Sequence, residues 1–132
     1  MSEENTEFVR RGYEAFTRRD WRGAMAEFAE DAEWHPYLGQ VGGGVRSGAR
    51  EIEEMLREID VDLDLTLEPE EFVDLDDCVL VPLRAGGTGK ESGLSVDARW
   101  CQLWSLRDAQ VIKVTAYPDQ ASALGAAQGD AG

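Results

Sequence analysis

The single histidine of the chain, His35, could carry proton-transfer chemistry, because the pKa of free imidazole lies near neutrality. Proline follows it, and Pro36 favours extended backbone at the preceding residue, so we expect His35 at the end of a strand. In a strand, Glu33 falls on the face of His35 and could orient the imidazole, whereas Trp34 falls on the other face. If Trp34 belongs to the core, a regular strand directs His35 outward. His35 is therefore a candidate general base, with a structural or solvated histidine as the alternative.

A second polar candidate, Gln102, lies in an otherwise apolar strand face. The even positions of a strand expected over about 93–106 are apolar except for this residue: Leu94, Val96, Ala98, Trp100, Trp104 and Leu106. A buried amide without a hydrogen-bond partner costs about 1–3 kcal/mol. We therefore expect Gln102 to bond either a neighbouring group of the protein or a ligand held between Trp100 and Trp104.

Several chemistries are disfavoured by the residue pattern. Alternation over the expected last strand, 111–117, turns Ile112, Val114 and Ala116 inward, so these strands offer no interior carboxylate for paired acid–base work. There is no Ser-His-Asp pattern, phosphate-binding loop or dinucleotide fingerprint. Cys78 and Cys101 fall in separate apolar strands without a CxxC motif, which is typical of buried thiols. We predict no metal and no cofactor.

Charge is concentrated in one part of the chain. The formal net charge is -14, and residues 51–77 hold thirteen acids against one base, Arg57. Such a surface repels nucleic acid, so nucleic-acid binding is not expected. A solvated acidic face that aids solubility is the simpler interpretation, and a module that binds a basic partner is the alternative.

The element order predicts one α+β domain. A helix is expected over about 3–18, a second follows the cap Asp20 with an apolar pattern through Ala29, and a third follows the glycine-rich loop 39–48. From Leu63 onward the period changes to two, giving a run of antiparallel strands, and a short helix begins near Pro118. We expect the domain to span 1–127, with a disordered tail over 128–132. No signal peptide or membrane span is recognisable, so the cytoplasm is the expected location.

The layout resembles the nuclear-transport-factor-2-like superfamily, and within it the SnoaL-like branch that includes polyketide cyclases and relatives of ketosteroid isomerase. The resemblance covers about residues 5–125. It rests on the segments FAEDAEW (28–34), VRSG (45–48), ARWCQLWSLRD (98–108) and VIKV (111–114). It implies a cone-shaped α+β barrel: a curved, mostly antiparallel sheet with three helices from the N-terminal half on its concave face and a short C-terminal helix.

The resemblance also implies roles for individual residues. The general base of the isomerase branch matches His35 before Pro36, and its oxyanion-stabilising acid falls on Gln102. The tyrosine of that branch falls on Gly12 or Tyr13. The epoxide-hydrolase branch uses an arginine between two aspartates. Asp97 and Arg99 match part of this pattern, but they fall on the outward face of the strand.

These observations lead to one main hypothesis and two alternatives. The main one is a homodimer that binds a small hydrophobic molecule in an apolar cavity lined by Trp34, Trp100, Gln102, Trp104 and Tyr13. The first alternative is an isomerase- or cyclase-type enzyme with His35 as general base and Gln102 as oxyanion donor. The second is the acidic interaction module. Neither nucleic acid nor a membrane is an expected partner.

Overall fold

A computed structural model describes residues 2–36, 44–93 and 95–131. The helices are α1 (Ser2–Thr17), α2 (Trp21–Met25), α3 (Ala49–Asp62) and α4 (Gln120–Ala131). The strands are β1 (Phe28–His35), β2 (Arg46–Ser47), β3 (Leu63–Pro69), β4 (Val73–Asp74), β5 (Cys78–Gly89), β6 (Ser95–Arg107) and β7 (Gln110–Tyr117). Within the described ranges, no helix is long and apolar enough to cross a membrane.

The strands form one curved sheet in the order β2-β1-β7-β6-β5-β3, with β4 paired to β5. All pairs are antiparallel except β1 with β7. This confirms the predicted α+β class and the mostly antiparallel sheet. The cone-shaped barrel that the resemblance implied is not closed, because β2 and β3 lie at opposite edges of the strand order and do not pair with each other in the described chain.

The main hydrophobic core lies between the sheet and the three helices of the N-terminal half, as predicted. Each helix contributes buried residues at helical spacing, so that one stripe faces the strands. The contributors are Val9, Tyr13 and Phe16 from α1, Trp21 from α2, and Ile52, Met55 and Leu56 from α3. Val79, Val81, Leu83, Trp104 and Val114 face them from the sheet. This face of the sheet is called the inner face below.

The opposite, outer face of the sheet is covered in part by α4. A second cluster there joins Leu80, Cys101, Leu103 and Ala123, all of them buried. Asp119 begins the helix, since its Oδ1 accepts a hydrogen bond from the backbone N–H of Ser122 at 2.8 Å. The alternation of β6 predicts that only one of its faces is apolar and buried. This prediction is wrong at Cys101 and Leu103, which lie on the opposite face and are buried beneath α4. Of the two thiols expected to be buried, Cys101 is buried and Cys78 is half-buried.

Two local departures from the sequence pattern occur beside β7. Asp20 caps α2 as predicted, but the helix ends at Met25 because the chain joins the sheet: the backbone N–H of Val111 donates to the carbonyl oxygen of Glu27 at 2.8 Å. In β7, the register with β6 shifts between Ser105 and Leu106. Such a bulge breaks the alternation, so Val111 is buried in the main core together with Val114.

The helix α4 is longer than the short helix expected. It begins after Asp119 and continues to Ala131, through most of the segment that we expected to be a disordered tail after residue 127. The domain boundary at 127 stays a prediction. Of the glycine-rich loop expected over 39–48, residues 39–43 lie outside the described residues, and Arg46–Ser47 form β2.

The close approach of β3 to β5 depends on Gly87. It pairs with Leu65, and a Cβ atom at this position would overlap the backbone carbonyl oxygen of Asp64 and lie 3.2 Å from the Leu65 Cα. Both obstacles are backbone, so the strands would have to separate. We expect Gly87→Ala to lower the free energy of unfolding by roughly 1–3 kcal/mol in urea denaturation.

Gly125 provides the matched control for this substitution. It lies in α4, and a Cβ there meets nothing within 4 Å. Gly125→Ala should leave stability unchanged or raise it by up to about 1 kcal/mol, because alanine is the better helix former. Equal effects of the two substitutions would contradict the close packing of β3 on β5.

Candidate functional site

Strand β6 places the predicted polar residue in the interior. Trp100, Gln102 and Trp104 alternate onto the inner face, opposite Leu83, Val81 and Val79 of β5 respectively. Gln102 is 3% exposed and is the one polar residue buried in the part of the chain that the structure describes. The sequence prediction that Gln102 is an interior amide is therefore matched by its burial, and its hydrogen bonds decide what it can do.

Gln102 is held by a chain of hydrogen bonds that begins at Trp104. The indole Nε1 of Trp104 donates to the Tyr13 hydroxyl at 3.0 Å. The Tyr13 hydroxyl donates in turn to the side-chain oxygen Oε1 of Gln102. An indole N–H can only donate and an amide oxygen can only accept, so with Oε1 facing the hydroxyl the single phenol proton is directed to Gln102. The amide of Gln102 is thereby oriented, with its oxygen toward Tyr13 and its NH2 group as the donor end of the chain.

Tyr13 can serve in this chain because it stays protonated. It is 5% exposed, and burial raises the pKa of its phenol far above the usual range, because the charged form would lose its hydration. The ring lies 5.3 Å from the ring of Trp104, centroid to centroid. Of the two positions that the family resemblance allowed for the tyrosine, Gly12 and Tyr13, it is Tyr13 that contacts Gln102.

Trp100 differs from Trp104 in the state of its indole nitrogen. Its side chain is half-buried and packs against the main core. The Nε1 atom is itself buried and has no hydrogen-bond partner in the described chain. Trp100 therefore presents a donor on the inner face, two residues from Gln102.

Trp34 also lies on the inner face and packs against the main core. It pairs with Val114 of β7, which pairs with Trp104 of β6. On its other side Trp34 pairs with Arg46 of β2, which places this arginine on the same face. Arg46 is half-buried, and the sequence pattern gave no signal for it because its strand has only two residues.

His35 lies on the other side of the sheet from Gln102. It pairs with Thr115 of β7, which pairs with Leu103 of β6, and Leu103 belongs to the outer cluster. The imidazole Nε2 contacts Glu33 Oε1 at 2.8 Å, and the two side chains are 31% and 49% exposed. The predicted pairing of His35 with Glu33 is present. The alternative enzyme hypothesis requires His35 and Gln102 to face the same site, and the structure does not bring them together.

The residues that resemble part of the epoxide-hydrolase pattern also lie on the outer face. Asp97 accepts two hydrogen bonds from Arg84, from Nε at 3.0 Å and from Nη2 at 3.1 Å. Arg84 lowers the pKa of the Asp97 carboxyl through these bonds and its charge. Together with Ala98 and Arg99 the pair lines an open hollow of about 440 Å³. Sequence reasoning missed Arg84, whose partner is 13 residues away.

Acidic residues of the 51–77 segment are spread over α3, β3 and the following loop, and several are paired with bases. Arg57 contacts Glu53 at 3.0 Å, and Arg19 contacts Asp60 at 3.0 Å. No group of three or more histidine, cysteine or acidic side chains arranged to hold a metal ion occurs among the residues described.

Comparison with known proteins identifies the family. The family model for the SnoaL-like domain matches residues 9–114. This chain belongs to the SnoaL-like domain family. The resemblance seen in the sequence is thus confirmed, and no curated protein matches the chain.

Solved structures share the fold of this SnoaL-like protein. An NTF2-like protein of unknown function from Burkholderia pseudomallei K96243 is 26% identical, with a TM-score of 0.80 over 95% of this chain and 97% of that one. A candidate polyketide cyclase from Xanthomonas campestris pv. campestris is 23% identical, with a TM-score of 0.73 over 88% and 90%. A Catenulispora acidiphila protein with a ketosteroid isomerase-like fold, in complex with trimethylamine, is 18% identical, with a TM-score of 0.75 over 90% of each chain.

Because the Tyr13 hydroxyl takes part in both bonds of the chain, removal of this one oxygen atom should lower the stability of the protein. Tyr13→Phe keeps the ring but leaves both the Trp104 N–H and the Gln102 oxygen buried without this partner. We expect the free energy of unfolding in urea to fall by about 2 kcal/mol or more. In a double-mutant cycle with Gln102→Leu, the two losses should not add, because each substitution removes the same bond. Additive losses would contradict the directed chain.

Proposed function

We propose that this SnoaL-like protein binds a small, largely apolar organic molecule on the inner face of the sheet, with the Gln102 NH2 group as the polar contact. The observation that carries the proposal is the orientation of Gln102. Its oxygen is engaged by Tyr13, so the amide offers a ligand a hydrogen-bond donor and favours a carbonyl, hydroxyl or ether oxygen. Trp100 and Trp34 supply aromatic walls on the same face.

Tyr13 and Trp104 act in this proposal as positioning residues. Both are 5% exposed, and each donates its one polar hydrogen to a bond of the chain that ends at Gln102. Their part is to determine which end of the amide faces the ligand. An amide that could rotate would recognise donors and acceptors alike, so the chain confers selectivity for acceptors.

The family context supports binding of small molecules without identifying one. The Catenulispora acidiphila neighbour was solved in complex with trimethylamine, so a protein with this fold holds a small organic molecule. Few polar groups in an apolar surrounding are typical of small-molecule sites. The isomerase or cyclase alternative in its present form is not part of the proposal, because His35 faces away from Gln102. No contact of the described residues favours the acidic interaction module over a solvated face.

Binding of acetophenone and ethylbenzene tests the proposal. The two probes are similar in size, but only acetophenone carries an acceptor. In a titration followed by ligand-detected NMR, the unmodified protein should bind acetophenone about 3- to 10-fold more tightly relative to ethylbenzene than the Gln102→Leu variant does. Failure of both probes to bind, or the same ratio in both proteins, would contradict the proposal.

Tyr13→Phe serves as the control in the same titration. It disturbs the hydrogen-bond chain without removing the Gln102 NH2 group, so a preference for acetophenone should persist in a weakened form. Mass spectrometry of the native protein gives an independent check, because a co-purified uncharged organic molecule would appear as a mass difference.

The expected homodimer stays a prediction, and we propose the outer face of the sheet as its surface. Glu68, Arg84, Asp97 and Arg99 are exposed there and carry both signs of charge, so opposite charges could face each other across a two-fold contact. Sedimentation velocity should give a dimer whose dissociation constant rises at least about tenfold on Arg99→Glu and with added salt. A monomer at all concentrations would contradict this proposal and leave ligand binding untouched.

A further inference from the structure

The indole nitrogen of Trp100 is a buried donor that the hydrogen bonds of the described chain leave unused. The nitrogen is inaccessible to solvent, and the structure gives it no partner among the residues it describes. Burying an N–H without a partner costs about 1–3 kcal/mol, and most such groups in folded proteins are satisfied by protein, water or ligand. Trp104 lies four residues farther along β6 on the same face, and its N–H is satisfied in the usual way, since it donates to Tyr13 at 3.0 Å.

The position of Trp100 relative to Gln102 suggests what its N–H donates to. The two residues are two apart on β6, with no irregularity in the pairing with β5 between them, so they share the inner face. A strand rises about 3.4 Å per residue, which separates the two backbone positions by roughly 7 Å. The two donors therefore belong to side chains on the same face of one strand.

Both donors are uncharged, and this limits the charge of the ligand. An indole N–H and an amide NH2 cannot neutralise a buried anion, whose desolvation is costly. Arg46, a cation on this face, lies in the row of Trp34, Val114 and Trp104. Its backbone is three strand spacings from β6, or about 14 Å. We therefore expect the ligand group that contacts Trp100 and Gln102 to be neutral.

We propose that the ligand carries two hydrogen-bond acceptors roughly 7 Å apart, one bound by the Gln102 NH2 group and the other by the Trp100 N–H. Neutral diketones, diesters and keto ethers belong to this class. This inference rests on the proposed function, because it uses the same face of β6. It adds Trp100 as the residue that distinguishes a two-acceptor ligand from a one-acceptor ligand.

The test compares para-diacetylbenzene with para-ethylacetophenone, in which an ethyl group replaces one acetyl group. The measured quantity is the ratio of their two dissociation constants. Trp100→Phe keeps an aromatic ring but removes the donor, so it should reduce the preference for the diketone about 3- to 10-fold. Trp21→Phe, a matched change in the core contact with Phe16, should leave the ratio unchanged.

A second measurement uses the unmodified protein and does not depend on the folding of a variant. The indole N–H signal of Trp100, identified as the one that is absent in Trp100→Phe or by sequential assignment, should shift on addition of para-diacetylbenzene. It should shift much less with para-ethylacetophenone at equal saturation.

The outcomes separate this inference from the proposed function. If para-ethylacetophenone binds in a Gln102-dependent way but the ratio is the same in Trp100→Phe and the unmodified protein, the two-acceptor inference is overturned and the proposed function stands. If neither ketone binds the unmodified protein, both are overturned. An equal loss of preference in Trp21→Phe would assign the effect to general loosening of the core and overturn the role of Trp100.

Discussion

Burial of the Gln102 side chain is the constraint on which the arrangement of α1 and β6 depends. An amide placed among aliphatic and aromatic side chains is destabilising unless its hydrogen bonds are made inside the protein. Here the Tyr13 hydroxyl supplies one of them, which requires Tyr13 of α1 to lie within hydrogen-bond reach of β6. The phenol oxygen is in turn bonded by Trp104, so a shift of the helix along the sheet would break two bonds at once. The position of α1 on the sheet is thus coupled to the hydrogen bonding of the buried Gln102 amide.

The sheet can meet this constraint because both of its faces are covered where β6 is most buried. The first three helices cover the inner face, and α4 covers Cys101 and Leu103 on the outer face. A strand that is buried on both sides excludes water from its hydrogen bonds, which strengthens polar contacts such as that of Gln102. Farther along β6 the outer face is exposed at Asp97 and Arg99, and the side chains there change to charged ones.

The sequence predicted the parts of this structure that follow from a single period. Helical spacing in α1 and strand alternation in β6 were sufficient to place Tyr13 and Gln102 in the interior, and alternation in β1 was sufficient to put Glu33 beside His35. Features that depend on a second element were not predictable in this way. The burial of Cys101 depends on α4, the inward turn of Val111 depends on a bulge in β7, and the end of α2 depends on a backbone bond from Val111 to Glu27. The Arg84–Asp97 pair joins two strands and left no local pattern.

The position of His35 illustrates why a family resemblance is a weaker guide to chemistry than to fold. The residue precedes a proline at the end of the first strand, as the resemblance implied, yet strand parity decides which side of the sheet it faces. Trp34 is large and apolar, so its burial outweighs that of a histidine, and the alternation then directs His35 to Glu33 on the outer side. On the inner face, the buried polar groups beside Gln102 are uncharged donors and a phenol whose pKa burial has raised. Such a set suits the recognition of a neutral oxygen atom, whereas abstraction of a proton needs a base, which this part of the inner face lacks among the described residues.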